Sequence, residues 1–178
     1  MTNQAKLRSG AAFGALLLAA AVAAPAFAQD AAVALDDVIV TAQKRSENIQ
    51  DVPVSVAAVS GEKLASIFAA GEDVLALSSR VPGLYIESSN GRAAPRFYIR
   101  GLGNADFDLA ASQPVSVIMD DVVLENVVLK SSPIYDIEQV EVLRGPQGTL
   151  FGRNTTAGII KFSSVKPSED FRANLAAT

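Results

Sequence analysis

The hydrophobic pattern of this chain changes character twice along its length. Gly10 to Ala24 is an apolar run with Leu16, Leu17 and Leu18 at its centre, preceded by Lys6 and Arg8. Ala26-Phe27-Ala28 follows as a small-x-small signature. A positive start, an apolar middle and a small-residue end make an export signal, with cleavage after Ala28 and a mature start at Gln29. The run is too short for a spanning helix, which needs about 20 apolar residues, and Pro25 sits near its end. From there to Leu35 the chain is Ala-rich and featureless. Asp36-Asp37 then precedes Val38-Ile39-Val40-Thr41, four β-branched residues that favour an extended strand. A strand this short cannot bury itself, so it needs an edge to pair with. Ser46 to Asp51 is polar and linker-like.

Beyond residue 51 the pattern alternates between strand and helix periods. Val52, Val54 and Val56 share one face of a strand running to Val59. Ser60-Gly61-Glu62 opens a helix, with Ser60 placed to cap it and Leu64, Ile67 and Phe68 at helical spacing. Gly71 breaks it. Glu72 and Asp73 start a second helix with Val74, Leu77 and Val81 inward, closed by Pro82-Gly83. Leu84 to Glu87 is a short strand and Ser88 to Pro95 a loop. In Arg96 to Arg100, Phe97 and Ile99 share one face while Arg96, Tyr98 and Arg100 share the other. A polar loop reaches Pro114. Val115 to Met119 and Val122 to Leu124 flank Asp120-Asp121, a hairpin turn. Strands at Ile137 to Leu143 and Ile159 to Val165 bracket a glycine-punctuated stretch from Gly145 to Gly158. Short strands mixed with two early helices give an α+β fold.

Composition narrows the chemistry. The formal net charge is −4 over 178 residues. Removing the leader, with Lys6 and Arg8, takes it to −6, against the basic surface of a nucleic-acid binder. Cysteine and histidine are both absent. That removes the disulfide, the thiolate nucleophile, the usual general base and the commonest metal ligand. No cofactor and no metal site is expected, and the chain is not expected to be an enzyme. Asp106 and Asp108, flanking Phe107, lack the spacing of a calcium loop and belong to a solvated loop. Gly152 is followed by Arg153-Asn154, without the lysine of a phosphate-binding loop. The glycines instead allow tight turns and close backbone approach.

Three segments carry a resemblance. Asp37-Val38-Ile39-Val40-Thr41-Ala42 looks like a TonB box, and Tyr98-Ile99-Arg100-Gly101-Leu102-Gly103 resembles the Ile-Arg-Gly segment of TonB-dependent receptor plugs. The run Val140-Glu141-Val142-Leu143-Arg144-Gly145-Pro146-Gln147-Gly148-Thr149-Leu150-Phe151-Gly152-Arg153-Asn154-Thr155-Thr156-Ala157-Gly158 closely resembles the family's most recognisable plug stretch. The three occur in the family's order and span nearly all of the mature chain. Two departures are mild: family plugs often carry Asp-Gly where this chain has Asp120-Asp121, which leaves the turn type open, and Ile159-Ile160-Lys161-Phe162 replaces Ala-Ile-Asn-Ile.

The resemblance implies an outer-membrane transporter in four parts: a signal peptide (1–28), a periplasmic tail with the TonB box (29–51), a plug domain (52–167) and the start of a first barrel strand (168–178). Phe171 to Leu175 alternates as such a strand would, and the chain looks cut just as the barrel begins. It further implies a plug inside a 22-stranded barrel, energised through TonB with ExbB–ExbD. The imported small ligand is expected to be an iron–siderophore complex, with carbohydrate or cobalamin as alternatives. The box residues Asp37, Val38, Ile39, Val40, Thr41 and Ala42 are expected to bind TonB by strand addition. Arg100, Glu141 and Arg144 are expected to anchor plug to barrel wall, with Glu141 or Glu138 as alternative partners for the arginines inside the plug. Asn90, Arg92, Asn104, Asp106, Phe107 and Asp108 are expected on ligand-facing loops. The competing reading is a free-standing periplasmic binding module with a plug-like fold.

Overall fold

The computed structural model describes residues 37–68, 73–89, 91–106, 108, 110–131 and 134–171. The export signal, the tail before Asp37, the helix break at Gly71 with Glu72, the loop residues Asn90 and Phe107, and positions 172–178 of the expected barrel strand lie outside them. The described residues belong to the unit spanning Asp37–Thr178.

Its centre is a five-stranded sheet. In chain order the strands of the unit are β1 (Ile39–Val40), β2 (Glu47–Asn48), β3 (Ser55–Ser60), β4 (Leu84–Glu87), β5 (Arg96–Ile99), β6 (Val115–Met119), β7 (Val122–Leu124), β8 (Ile137–Arg144) and β9 (Gly158–Ser164). The sheet runs β3-β8-β9-β6-β7, while β1 pairs only with β2 and β4 only with β5. All its pairings are antiparallel except β6 with β9. Two α-helices, α1 (Gly61–Phe68) and α2 (Gly148–Phe151), and two short 3-10 helices complete the α+β architecture.

Both faces of this sheet are covered, and the period-2 pattern decides what each face receives. On β8, Val140 and Val142 point into the larger core; on β9, Ile160 and Phe162 do the same. That core is closed by Leu64 and Ile67 of α1, by Val74, Leu77 and Val81, and by the β4–β5 hairpin with Leu84, Ile86, Phe97 and Ile99. The opposite face carries Leu143 and Ile159, under Val40, Ala42, Val52 and Phe151. Glu141 and Lys161 alternate onto this second face, and both are buried there, at 1% and 5% exposure.

Several expected boundaries shift for physical reasons. Val52, Val54 and Val56 do share a face with Ala58, but the strand begins only at Ser55. Pro53 has no N–H to give a ladder. Ser60 ends β3 opposite Gln139 instead of capping α1. The second helix shrinks to one 3-10 turn, Val74–Leu77, capped by Asp73, whose Oδ1 accepts from Leu75 N–H at 3.0 Å. Its inward residues are the expected ones, since Val74, Leu77 and Val81 are buried. At the β6–β7 turn, Asp120 and Asp121 take φ of 46° and 69°. Positive φ at both central residues is the signature of a type I′ turn, which settles the turn left open by the sequence.

Candidate functional site: the docked N-terminal segment

The β-branched run Val38 to Thr41 lies on the second face of the sheet. β1 pairs antiparallel with β2, placing Ile39 opposite Asn48 and Val40 opposite Glu47. Ile49 N–H extends the pairing by donating to Val38 O at 2.9 Å. The chain doubles back because Lys44 N–H donates to Thr41 O at 3.0 Å and Lys44 itself adopts φ 58°. The segment expected to be a linker therefore supplies the strand's partner edge. Val40 and Ala42 are wholly buried, while Ile39 is half exposed.

Polar contacts fix the segment at three depths. At the rim, Asn48 Nδ2 donates to Asp37 Oδ1 at 2.9 Å, and Gln139 Nε2 donates to Ile39 O at 3.0 Å. Beneath the strand, Thr41 donates twice to Glu141 Oε1, from its N–H at 2.7 Å and from Oγ1 at 3.1 Å. Lys161 Nζ donates to Thr41 Oγ1 at 2.9 Å and pairs with Asp121 Oδ1 at 3.2 Å. Lys44 Nζ stands 5.3 Å over the Phe151 ring. An open cleft of about 340 Å³ runs beside this cluster, lined by Thr41, Lys44, Arg45, Ser46, Asp121 and Lys161.

Of the expected anchoring residues, Arg100 and Arg144 come together and Glu141 does not join them. Arg100 Nη2 and Arg144 Nη1 both donate to Ser55 Oγ, at 3.0 and 3.2 Å, and Arg144 Nε donates to Pro82 O at 3.0 Å. Burial, and then the like charge of Arg100, hold the Arg144 guanidinium below its ordinary pKa. Among the described residues no carboxylate lies within ion-pair distance of either arginine, so neither Glu141 nor Glu138 serves as an internal partner.

The two loops expected to face ligand hang from the β4–β5 hairpin. Tyr98 Oη lies 3.0 Å from Glu87 Oε1 and 3.2 Å from Asn104 O, sharing one proton between two acceptors. Burial and the Glu87 carboxylate push this phenol above its ordinary pKa. Arg96 pairs with Glu87 at 3.1 Å and donates to Ser89 Oγ at the start of the first loop. Arg92 reaches Asp73 at 3.4 Å. In the second loop Asn104 Nδ2 donates to Ser112 O, while Asn104, Asp106 and Asp108 each accept from the N–H two residues on. These are side chains that shape their own backbone. The described residues hold no group of three acidic, His or Cys side chains able to bind a metal ion.

Sequence reasoning missed Glu47, Asn48, Gln139, Asp121 and Lys161 as parts of the site. Lys161 had a visible signal, a single charge inside the apolar run Ile159 to Phe162, on the face that the period assigns to Glu141. Glu47 and Asn48 had none, being polar residues in a polar stretch.

A mixed sheet buried on both faces, with an N-terminal strand laid on one of them and long loops at a separate hairpin, defines the plug class of receptor domain. The model of the TonB-dependent receptor plug domain family matches residues 48–159, and the chain belongs to that family. It is 30% identical over 158 residues to the iron-regulated outer membrane virulence protein of Vibrio cholerae, covering 85% of this chain and 23% of that protein. It is 29% identical over 149 residues to the vitamin B12 transporter BtuB of Vibrio vulnificus, covering 80% of this chain and 23% of the transporter. The crystal structure of the ferric yersiniabactin uptake receptor FyuA from Yersinia pestis superposes with a TM-score of 0.59 at 29% identity, covering 66% of this chain and 18% of FyuA. The chain thus spans less than a quarter of the length of these relatives.

Proposed function

We propose that this chain is the plug and energy-coupling region of an outer-membrane transporter that imports a scarce ligand. Residues 1–28 direct export and are removed. The plug sits inside a 22-stranded barrel, and Asp37 to Ala42 pairs with TonB, energised by ExbB–ExbD. An iron–siderophore complex is the leading ligand class, supported by relatives named for iron regulation and ferric yersiniabactin uptake. Cobalamin stands behind it, since one relative is a vitamin B12 transporter. Arg100 and Arg144 anchor the plug to acidic groups of the barrel wall, and Glu141 acts on the coupling segment.

The observation that carries the reading is the state of β1. It is a β-branched strand behind an export signal, paired with only two residues and bonded through side chains that a stronger partner edge can replace. Strand addition to a sheet edge uses these same main-chain groups. The test is binding of the C-terminal domain of TonB, together with ligand uptake, in the barrel-containing protein. Val40→Pro removes an N–H and fixes φ, so both should be lost. Val40→Thr keeps β-branching and should retain both. Uptake that survives Val40→Pro would sink the assignment. Intact mass of the exported protein should begin at Gln29, and a product that keeps Met1 would exclude cleavage. A stable periplasmic product with no barrel would favour the free-standing binding module.

A further inference from the structure

The docked coupling segment separates two charges that the sheet brings together. Glu141 and Lys161 are Cα partners in the β8–β9 ladder, so their side chains leave the sheet side by side on the same face. Both are buried. Yet they form no ion pair with each other among the described contacts. Thr41 stands between them, taking the ammonium on its hydroxyl oxygen and giving its hydroxyl proton and N–H to the carboxylate. The second carboxylate oxygen, Glu141 Oε2, is buried and has no hydrogen-bond partner among the described residues. A buried acceptor with nothing to accept raises the free energy of the docked state, and a state that satisfies it is favoured by that amount.

We propose that Thr41 is an exchangeable wedge: when it leaves, Glu141 and Lys161 close into a direct ion pair. Glu141 and Lys161 are then positioning residues of the coupling segment with two sets of partners. Docked, they hold Thr41. Released, they hold each other: Lys161 keeps its pair with Asp121 and also gives Glu141 the cation partner that it lacks when docked. The closing pair offsets part of what is lost when the bonds to Thr41 break. The Thr41 N–H held by Glu141 is also a main-chain donor of the kind that strand addition needs, so the exchange frees it in the same step. This inference rests on the coupling reading of β1 and adds its regulation.

A plain clasp and an exchange differ in sign at Lys161. If Lys161 only holds Thr41, removing its charge frees the segment. If Lys161 also receives Glu141 afterwards, removing its charge strands the carboxylate in the released state and keeps the segment docked. The chain has no cysteine, so Val40→Cys introduces one thiol, buried when docked and open when released. Its maleimide labelling rate is measured in the full chain, without TonB. Thr41→Val removes both hydroxyl bonds of the docked state and should label severalfold faster. Lys161→Met should label severalfold slower, because in the released state Glu141 then has no cation to pair with. Lys161→Gln can still donate to Thr41 but cannot neutralise Glu141; it should also slow labelling, and it serves where Met disturbs folding. Faster or unchanged labelling in both Lys161 variants overturns the exchange. Because labelling involves no TonB, a failure of the TonB-binding reading would show separately, as absent binding with these signs intact.

Discussion

Arg100 and Arg144 converge on one acceptor, the hydroxyl of Ser55, at 3.0 and 3.2 Å. The convergence follows from topology. Ser55 is the Cα partner of Arg144 at the β3–β8 edge, and Arg100 follows β5 in a left-handed conformation at φ 52°. Gly83 lies beneath both, its O accepting from Arg100 N–H at 2.8 Å. Two like charges around a neutral hydroxyl are an incomplete constellation within the described chain, and an acidic group from outside would complete it.

That arrangement predicts a context-dependent effect for Arg144→Ala. In the chain alone the change removes the bonds to Pro82 O and Ser55 Oγ, leaves Arg100 to hold Ser55, and relieves repulsion from Arg100, so stability should move by no more than about 1 kcal/mol. In the barrel-containing protein it would leave a barrel carboxylate without its partner, a loss of about 3–5 kcal/mol if that carboxylate is enclosed. Denaturant unfolding in both contexts checks this. Equal losses would place the arginine's partners inside the plug.

Gly158 should be the least replaceable glycine in the glycine-punctuated stretch. It opens β9 at φ 148°, and a Cβ there would stand 2.2 Å from Leu143 O and 2.9 Å from the Ile99 side chain. Backbone cannot yield as a flexible side-chain tip does, so Gly158→Ala should destabilise by about 2–4 kcal/mol through strain and overpacking. Gly145→Ala, at φ 102° but with open space around the new Cβ, should show the strain alone, about 1–2 kcal/mol. Similar losses at the two sites would mean that close packing at Gly158 is not what sets its identity.

The elements of this domain were legible where burial follows period. Phe97 and Ile99, or Val74, Leu77 and Val81, are inward in the structure as their spacing requires. Lengths were less legible, because Pro53 delays β3 and the turn after Val74 closes on Ser78 as a 3-10 helix. The site was readable in part. The β-branched run Val38 to Thr41 was visible as a strand in need of an edge, but its partner edge at Glu47 and Asn48 has no hydrophobic signature. Its buried floor at Glu141 and Lys161 depends on the sheet having a covered second face. Alternation alone cannot distinguish that from a solvated face.

Lys130 gives a pH-dependent prediction. Its ammonium is buried on the 3-10 helix Leu129–Ser131 and donates to Val115 O at 3.2 Å. Burial holds its pKa below the ordinary 10.5, a shift only partly opposed by Glu125. A cation with a lowered folded pKa binds fewer protons folded than unfolded, so its contribution to stability rises with pH between the two values. Wild type should therefore gain stability relative to Lys130→Met as pH climbs through the alkaline range toward 10.5, with the gap narrowing or inverting. Urea midpoints for both proteins across that range measure it. A difference that stays constant with pH would mean that the lysine titrates alike in folded and unfolded chains.

Tyr98 is the point at which the two loops expected to face ligand meet, and its hydroxyl should control how they respond to ligand. The phenol reaches Glu87, which also takes Arg96, and Arg96 in turn holds Ser89 of the first loop. The same hydroxyl reaches Asn104 O, where the second loop begins, and Gly103 packs so closely on the ring that a Cβ there would lie 2.0 Å from it. Tyr98→Phe keeps the ring against Gly103 and removes only the bridge. A buried hydrogen bond to a carboxylate contributes about 1.5–3 kcal/mol, part of which is recovered here because Arg96 still satisfies Glu87. The fold should therefore survive with a loss near 1 kcal/mol, while the second loop loses its tie to the hairpin. In the barrel-containing protein, a cysteine at Asp106 should label faster in the Tyr98→Phe background, and a cysteine at Arg92 should change less, because Arg96 still holds the first loop at Ser89. Added ligand should slow labelling at Asp106 in the wild-type background, and less so without the hydroxyl. Ligand binding that leaves labelling at both positions unchanged would confine these loops to a structural role.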